Sequence, residues 1–278
     1  MRFDEICAIL KNAGIENAGQ EAALLLEKFC GVSQSAVPLL KNEDFNDPNL
    51  LAAVEKRWRR YPLQYILGEW YFYNEKYLVS EHCLIPRSDT EILVETAIKN
   101  LPPQSVFADL CTGSGCVAIS VLAACKDSRA YAFELFSDTL ELAKKNAKLN
   151  SVSERFYPVC ADVLEPLSFG KGGEYPLFNA ILSNPPYIRT DVIDTLESEV
   201  SHEPRAALDG GVDGLAFYRV IIEKHSHLLR DDGFIALEIG YDQSEDIFAL
   251  SVANGFSCEI IRDYGGKDRV ALLRRCIE

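Results

Sequence analysis

The sequence predicts an α/β fold: a mostly parallel, seven-stranded sheet flanked by helices, with a small N-terminal helical domain joined to it by a β-hairpin. Three observations predict this. Strand-like and helix-like segments alternate from Asp89 onward, which is typical of a parallel sheet covered by helices. The first 60 or so residues carry apolar side chains at helical spacing. Residues 67–85 are rich in aromatic and β-branched side chains, which favours a hairpin.

The helical domain is predicted over residues 1–64. Asn46-Asp47-Pro48 predicts a cap with proline in the first turn of a helix that reaches Arg60. Because this part holds no catalytic constellation, we expect it to serve recognition. The hairpin linker is predicted over 65–86, with its turn at Asn74-Glu75. The apolar side chains that recur every three or four residues in the helical domain are Ile6, Ile9, Leu10, Ala22, Leu25, Leu26 and Phe29.

The larger domain is predicted over residues 87–278. It begins with a helix, Ile92–Asn100, that ends before Pro102-Pro103, and Lys171-Gly172-Gly173 predicts a loop. Further helices are predicted at Cys116–Ala124, Ser137–Asn150, Leu215–Leu229 and Gln243–Asn254. The seven strands are predicted at Val106–Leu110, Ala130–Glu134, Tyr157–Ala161, Phe178–Ser183, Phe234–Ile239, Ser257–Arg262 and Arg269–Leu273.

The composition predicts a cytoplasmic protein without a metal. Of the 278 residues, 48% are hydrophobic and 25% are charged, as in ordinary soluble domains. Apolar runs such as Val117–Cys125 are too short to span a bilayer, and Asp4 and Glu5 stand where a secretory signal has basic residues. The nine cysteines form no C-x-x-C pair and have no histidine at metal-ligand spacing, which indicates reduced thiols.

The net charge of −14 argues against tight binding to a nucleic-acid duplex, because such binding depends on neutralising phosphates. The best candidate for a local basic patch is the cluster Lys56, Arg57, Arg59 and Arg60. A solvated helix face is the favoured interpretation of that cluster.

A glycine loop, Asp109 to Gly115, follows the first strand of the sheet and opens a helix. Gly113 and Gly115 have no Cβ, so the backbone there is free to turn sharply and to approach a bound molecule. The loop departs from a dinucleotide fingerprint because Cys111 stands where the first glycine is expected. By itself, the glycine pair is equally compatible with a plain strand-to-helix turn.

Acidic residues end the next two strands. Glu134, at the end of the second strand, is placed to accept the two hydroxyls of a ribose. Asp162, followed by Val163, ends the third strand and is placed to receive an adenine amino group. One acid at a strand end is otherwise a common turn or capping residue. A glycine loop and two acids at three successive strand ends predict an adenosine pocket.

The fourth strand runs directly into Ser183-Asn184-Pro185-Pro186-Tyr187. The prolines fix their own φ and donate no hydrogen bond, so the turn is stiff, and it lies where ligands bind in open α/β sheets. Such a turn presents the Asn184 amide oxygen and the Pro185 carbonyl to one point, beside the Tyr187 ring. These groups suit a planar NH₂, either an amide or the exocyclic amine of a base. An ordinary proline turn is the alternative.

These features resemble the class I S-adenosylmethionine-dependent methyltransferases, which have a Rossmann-like sheet. More specifically, the chain resembles the peptide chain release factor glutamine methyltransferase family, also called HemK or PrmC, which likewise has a small N-terminal helical domain. The resemblance runs in order from about residue 60 to the C-terminus. The segments that carry it are Ile85–Glu91, Cys111–Gly115, Asn184–Tyr187, Glu203–Leu208, Gly214–Arg219 and Arg262–Tyr264.

The resemblance implies transfer of a methyl group from S-adenosylmethionine to the side-chain amide nitrogen of the glutamine in the Gly-Gly-Gln motif of class I release factors. We also expect a monomer that uses no metal and binds no DNA stably. Asn184, Pro185 and Tyr187 are the implied catalytic residues, and with Pro186 they form the substrate-binding turn. The implied cofactor contacts are Cys111, Thr112, Gly113, Ser114, Gly115, Glu134, Asp162, Val163 and Asn184.

Two positions depart from the family's pattern. Cys111 replaces a glycine, so we expect either φ < 0 there or a slightly different cradle, and Glu134 replaces an aspartate, which lengthens its reach. Neither change removes a catalytic group. Arg87, Glu203 and Arg205 are expected to form ion pairs that shape the rim of the cleft.

Two other functions compete with this interpretation. An adenine-N6 DNA or RNA methyltransferase would use the same tetrapeptide on an extruded adenine. The negative charge, the lack of an obvious base-recognition domain and the flanking motifs argue against it. The other alternative is a catalytically silent adaptor that keeps the fold, and the intact Asn184 and Tyr187 argue against such decay.

Overall fold

The computed structural model describes residues 1–40, 42–167 and 175–276, so the loop predicted at 171–173 lies outside the described residues. The chain forms two compact units. One comprises Met1–Glu69 together with Leu196–His202, and the other comprises Trp70–Thr195 and Glu203–Glu278.

The first unit is helical. Its helices are α1 (Phe3–Asn12), α2 (Ala18–Cys30), α3 (Pro48–Trp58) and α4 (Leu63–Leu67). The residues predicted to repeat at helical spacing form its core, and Ile6, Leu10, Leu25 and Leu26 are fully buried. The predicted cap of α3 is present, because an Asp47 carboxylate oxygen accepts hydrogen bonds from the next two free backbone N–H groups.

Leu196–His202 belongs to the helical unit, although it follows the sheet strand that ends at Ser183. Glu199 in this segment pairs with Arg57 at 3.0 Å and with Arg60 at 2.8 Å, and the ring of His202 meets the ring of Tyr61 edge-on. The larger domain, expected as a continuous stretch from 87 to 278, is therefore interrupted. Ion pairs between residues about 140 positions apart leave no local pattern in a sequence.

The three arginines of the basic cluster form ion pairs within the helical unit, and Lys56 lies over the Tyr61 ring. Arg57 is only 3% exposed and pairs with Glu21 at 2.5 Å as well as with Glu199. Arg59 stays exposed and pairs with Glu55 at 2.6 Å. The interpretation as a solvated face is wrong for Arg57, because an arginine at a helix position facing the interior is buried when carboxylates meet it.

The hairpin consists of β1 (Glu69–Phe72) and β2 (Glu75–Leu78), which form a two-stranded sheet. Its turn is Tyr73-Asn74, one residue earlier than predicted, and Tyr73 has φ +54°. A two-residue hairpin turn needs positive φ, and here the flanking strands impose that on a tyrosine.

The second unit contains the predicted seven-stranded sheet, in the order β5-β4-β3-β6-β7-β9-β8. All neighbours are parallel except β9, which is antiparallel to β7 and β8. Helices α5, α6 and α7 cover one face, and α8 and α9 pack on the other. The strands are β3 (Val106–Leu110), β4 (Arg129–Glu134), β5 (Phe156–Cys160), β6 (Phe178–Ser183), β7 (Leu229–Glu238), β8 (Phe256–Arg262) and β9 (Asp268–Arg275). The helices are α5 (Glu91–Asn100), α6 (Cys116–Ala124), α7 (Ser137–Leu149), α8 (Ala216–Val220) and α9 (Ser244–Ala253).

One predicted helix, Leu215–Leu229, is broken. After α8 the chain makes a π-helical turn at Ile221–His225 and a short 3-10 turn, and β7 begins at Leu229 rather than at Phe234. The π turn places the buried His225 ring where its Nε2 lies 2.7 Å from the carbonyl oxygen of Val163. No helix of the described residues is both long and apolar enough to cross a membrane.

Candidate active site

A cavity of about 310 Å³ lies at the carboxyl ends of β3 to β6. Its size suits a small organic ligand. The lining also includes Arg87, which was expected at the rim of the cleft. Five neighbouring residues in the lining were not assigned to the site by the sequence analysis: His82, Cys83, Leu84, Pro86 and Thr90. Gly115, Pro185 and Tyr187 belong to the same turns but are not among its described lining residues. The predicted residues that do line it are Cys111, Thr112, Gly113, Ser114, Glu134, Asp162, Val163, Asn184 and Pro186.

The glycine loop alternates in and out of the left-handed region. Cys111, Gly113 and Gly115 have φ of +61°, +55° and +82°. Cys111 therefore adopts the left-handed conformation that a glycine would take, and the expectation of φ < 0 there is wrong. This conformation costs a non-glycine residue about 1–2 kcal/mol. Gly115 is favoured by its positive φ, and a Cβ there would also lie 2.8 Å from the end of the Ile119 side chain and 3.3 Å from the Ala143 Cβ.

The buried carboxyl of Asp109 holds the glycine loop through two hydrogen bonds. Asp109 accepts a hydrogen bond from the Thr112 hydroxyl at 2.5 Å and one from the Ala118 backbone at 3.3 Å. Burial raises the pKa of Asp109 to about 7, although these hydrogen bonds oppose the rise. The Asn146 side chain donates to the Ser114 carbonyl at 2.9 Å and ties the loop to β2 through Leu78. These hydrogen bonds hold the loop on both sides.

Glu134 stands at the cavity wall with its carboxylate held in place. One oxygen accepts from the Gly113 N–H at 3.0 Å and the other from the Phe136 N–H at 3.1 Å. Burial raises the pKa of this carboxyl, and the backbone donors oppose that rise. Each carboxylate oxygen keeps lone-pair capacity for a further donor, since an ionised carboxylate offers about four acceptor sites.

The turn after β5 presents Asp162 and Val163 to the cavity. Asp162 accepts from the Leu164 N–H at 2.9 Å, and the Val163 carbonyl accepts from the buried His225 ring at 2.7 Å. His225 is therefore a support of the site that the sequence analysis missed. A histidine in an apparently regular helix gives no local sign of this role.

The amide of Asn184 is oriented by Thr90. Its Nδ2 donates to the Thr90 hydroxyl oxygen at 3.1 Å, which leaves Oδ1 as the atom that is available to other partners. The Tyr187 hydroxyl donates to Glu238 at 3.3 Å, and burial raises the pKa of Tyr187, so the phenol is neutral. The Gln243 side chain donates to the Tyr187 carbonyl at 3.1 Å and fixes the end of the turn.

The chain matches two protein-family models. Residues 3–68 match the PrmC N-terminal domain, and residues 87–211 match the methyltransferase small domain. The release factor glutamine methyltransferase of Agrobacterium fabrum is 36% identical over 280 residues, covering 96% of this chain and 93% of the relative. The enzyme of that name from Aquifex aeolicus is 33% identical, covering 92% of this chain and 91% of the relative. This chain belongs to the release factor glutamine methyltransferase family.

A solved structure of the same family also matches. It is the release factor-specific protein-(glutamine-N5) methyltransferase of Alicyclobacillus acidocaldarius, with 29% identity and a TM-score of 0.42. The match covers 72% of this chain and 100% of that one. In the chain described here, residues 1–40, 42–167 and 175–276 contain no group of three or more His, Cys, Asp or Glu side chains that could hold a metal ion.

The rim residues of this methyltransferase form ion pairs, as the sequence analysis expects. Arg87 pairs with the buried Glu203, which also accepts from the Ile85 N–H at 3.0 Å. Arg205 pairs instead with Asp194 at 2.9 Å and Asp209 at 3.7 Å. Arg87 lines the cavity, so its pairing with Glu203 shapes the wall.

Proposed function

We propose that this chain methylates the side-chain amide nitrogen of the glutamine in the Gly-Gly-Gln motif of class I peptide chain release factors, with S-adenosylmethionine as the methyl donor. The observation that carries the proposal is the orientation of Asn184 at the cavity. Because its NH₂ is bound to Thr90, it offers the incoming group an oxygen, which is what a planar NH₂ substrate requires.

The described cavity fits S-adenosylmethionine. The left-handed turns at Gly113 and Gly115 let the backbone approach the ligand closely, and Glu134 lies at the wall where ribose hydroxyls would donate. Asp162 and Val163 supply the adenine end. When bound, the cofactor supplies a methyl group on a sulfonium, which is an electrophile that requires no metal.

The acceptor turn addresses the weakness of the nucleophile. An amide nitrogen is a poor nucleophile because its lone pair is delocalised into the carbonyl, and positive charge develops on it as the methyl group arrives. Asn184 Oδ1 and the Pro185 carbonyl accept the two amide hydrogens, which draws the lone pair toward the methyl group and stabilises the charge. The N–CH₃ bond forms as the S–CH₃ bond breaks, which would leave S-adenosylhomocysteine, and the strongly acidic N-methylated nitrogen then releases one proton to solvent. The neutral Tyr187 ring stacks on the planar amide. The rigid turn supplies the in-line alignment.

The helical unit, in this proposal, binds the body of the release factor. The cation cluster at Lys56 to Arg60 contributes little to that contact, because Arg57 and Arg60 are already paired with Glu199. Trp58 on α3 is half exposed and offers the kind of aromatic anchor that protein interfaces favour. We further propose that the enzyme acts as a monomer in the cytoplasm, and the nine free thiols support the reducing compartment.

The test begins with calorimetry of S-adenosylmethionine binding, followed by transfer of a labelled methyl group. The acceptors are an intact release factor, the same factor with its Gly-Gly-Gln glutamine replaced by alanine, and an adenine-containing oligonucleotide. We expect label only on the first. Label on the oligonucleotide would establish the adenine methyltransferase instead. Cofactor binding with no transfer to any acceptor would favour the silent adaptor.

A further inference from the structure

Glu238 is a buried acid in an otherwise apolar strand end. It is 2% exposed, at the last position of β7. Its Oε1 accepts from the Tyr187 hydroxyl at 3.3 Å, whereas Oε2 has no hydrogen-bond partner among the residues that the structure describes. A buried carboxyl with an unsatisfied oxygen lowers stability, so its presence calls for a role.

Thr90 stands between Glu238 and Asn184. It is 1% exposed, and its hydroxyl oxygen accepts the hydrogen bond from Asn184 Nδ2 at 3.1 Å. Within the described residues, the Thr90 hydroxyl is seen only to accept, from Asn184, and Glu238 Oε2 has no donor. Because the two buried groups are neighbours that influence each other electrostatically, the Glu238 carboxyl is the acceptor that we assign to the hydroxyl proton of Thr90. A hydroxyl has one proton to donate. If Thr90 donates to Glu238, it is left to accept from Asn184, and if it donates to Asn184, it is left to accept from Glu238.

We propose that Glu238 is a positioning residue for methyl transfer: through Thr90, its carboxylate fixes which atom of the Asn184 amide faces the substrate. This inference rests on the proposed function. An ionised carboxylate only accepts hydrogen bonds, so Thr90 donates to it and accepts from the Asn184 NH₂. Asn184 Oδ1 is then the atom presented to the glutamine.

The neutral carboxyl permits the opposite arrangement. A protonated Glu238 donates to Thr90, Thr90 donates to Asn184 Oδ1, and the Asn184 NH₂ then faces the N–H groups of the substrate. That arrangement opposes binding and leaves the developing positive charge without an acceptor. The two arrangements differ by one proton bound to Glu238, a rotation of the Thr90 hydroxyl and a flip of the Asn184 amide, whose oxygen and nitrogen occupy nearly the same space.

The groups around Glu238 determine the pH at which its carboxyl ionises. Burial raises the pKa of Glu238 to about 7; Thr90, Arg269 and Tyr187 oppose the rise, and Asp89 adds to it. Arg269 is itself held by Asp89 and Asp263, each at 3.1 Å. Tyr218 also packs here, donating to the Glu238 backbone carbonyl at 2.9 Å. The competent arrangement therefore forms as pH rises through about 7.

The experiment measures kcat with intact release factor, at saturating concentrations of both substrates, between about pH 5.5 and pH 9. We expect the wild-type kcat to rise through about pH 7. Glu238→Gln should lower kcat roughly 10- to 100-fold, the cost of a misplaced reacting group, and abolish the rise, with cofactor affinity unchanged. Thr90→Val should do the same, and Thr90→Ser should restore kcat.

The matched control is Asp232→Asn, an acid-to-amide change at an exposed position of the same strand, which should keep both kcat and its pH dependence. A folded Glu238→Gln enzyme with wild-type kcat and an unchanged pH profile overturns the inference while the proposed function stands. If that variant does not fold, Thr90→Val with wild-type kcat overturns it equally. A wild-type enzyme that methylates no release factor refutes the proposed function itself.

Discussion

Replacing Asn184 by alanine removes one of the two oxygens that are proposed to receive the amide hydrogens of the substrate. The Pro185 carbonyl remains, so the loss is that of one preorganised partner of the transition state. Such a loss costs about 2.7–4 kcal/mol, or a 10²- to 10³-fold decrease in kcat. Thr90 also loses the donor that lies 3.1 Å away, which costs about 1 kcal/mol of folding stability and leaves the enzyme folded.

The cofactor should bind the variant almost as well as the wild type. Asn184 lines the cavity, but the ribose and adenine contacts are assigned to Glu134, Asp162 and Val163 on other strands. We therefore expect calorimetry to show less than about a fivefold change in the dissociation constant of S-adenosylmethionine, under about 1 kcal/mol. Single-turnover methylation of the release factor then isolates the chemical step.

The control for Asn184→Ala is Asn254→Ala, which also removes a side-chain amide that is hydrogen-bonded at one end, there to the Leu250 carbonyl at 2.9 Å. Asn254 lies after α9 and away from the cavity, so its variant should keep full turnover. Full turnover in Asn184→Ala would remove the role that is assigned to this residue. An equal loss of turnover in the two variants would mean that the effect is one of folding.

Three further outcomes are expected. Glu134→Ala should weaken S-adenosylmethionine binding by about 1.5–3 kcal/mol in calorimetry, with Glu134→Asp much milder; unchanged affinity in the alanine variant would contradict the ribose contact. Arg57→Met should lower the free energy of unfolding of the helical unit by about 1–3 kcal/mol in urea titrations, because it leaves the largely buried Glu21 unpaired, whereas Glu199 keeps its ion pair with Arg60. The folded-state pKa of Asp109 is raised to about 7, so its contribution to stability is present below about pH 4 and is lost as pH rises through 7, by at most about 1.4 kcal/mol per pH unit. Urea midpoints of Asp109→Asn should lack this part of the decline, and a decline identical to that of the wild type would contradict the assignment.

The elements with strong local signals were predicted closely. Val106–Leu110, Cys116–Ala124 and Phe178–Ser183 have the predicted bounds, because each combines an apolar run with a glycine or proline boundary. The broken helix around His225 was missed, since a π turn and a regular helix share the same spacing of apolar residues over so short a stretch.

In the candidate site, the residues at the strand ends could be predicted, whereas the residues that hold them in place could not. The glycine loop, Glu134, Asp162 and Asn184 could be predicted because each directly follows a strand, and the carboxyl ends of parallel strands meet at one edge of a sheet. Their supports could not be predicted. Asn146 lies within a helix and Glu238 at the end of an apolar strand. Neither belongs to a sequence motif that would predict its hydrogen-bond partners.

The sequence by itself determined the α/β class, the two-part organisation, the family and the strand-end residues, because periodicity and turn chemistry act between residues that are near one another in the chain. Tertiary structure alone decided that Cys111 takes a left-handed conformation, that Leu196–His202 joins the helical unit, and that Thr90 orients Asn184. Each of these depends on contacts between residues far apart in sequence. Hydrogen bonds and ion pairs of that kind are set by where the sheet and helices bring side chains together, and no local pattern encodes them.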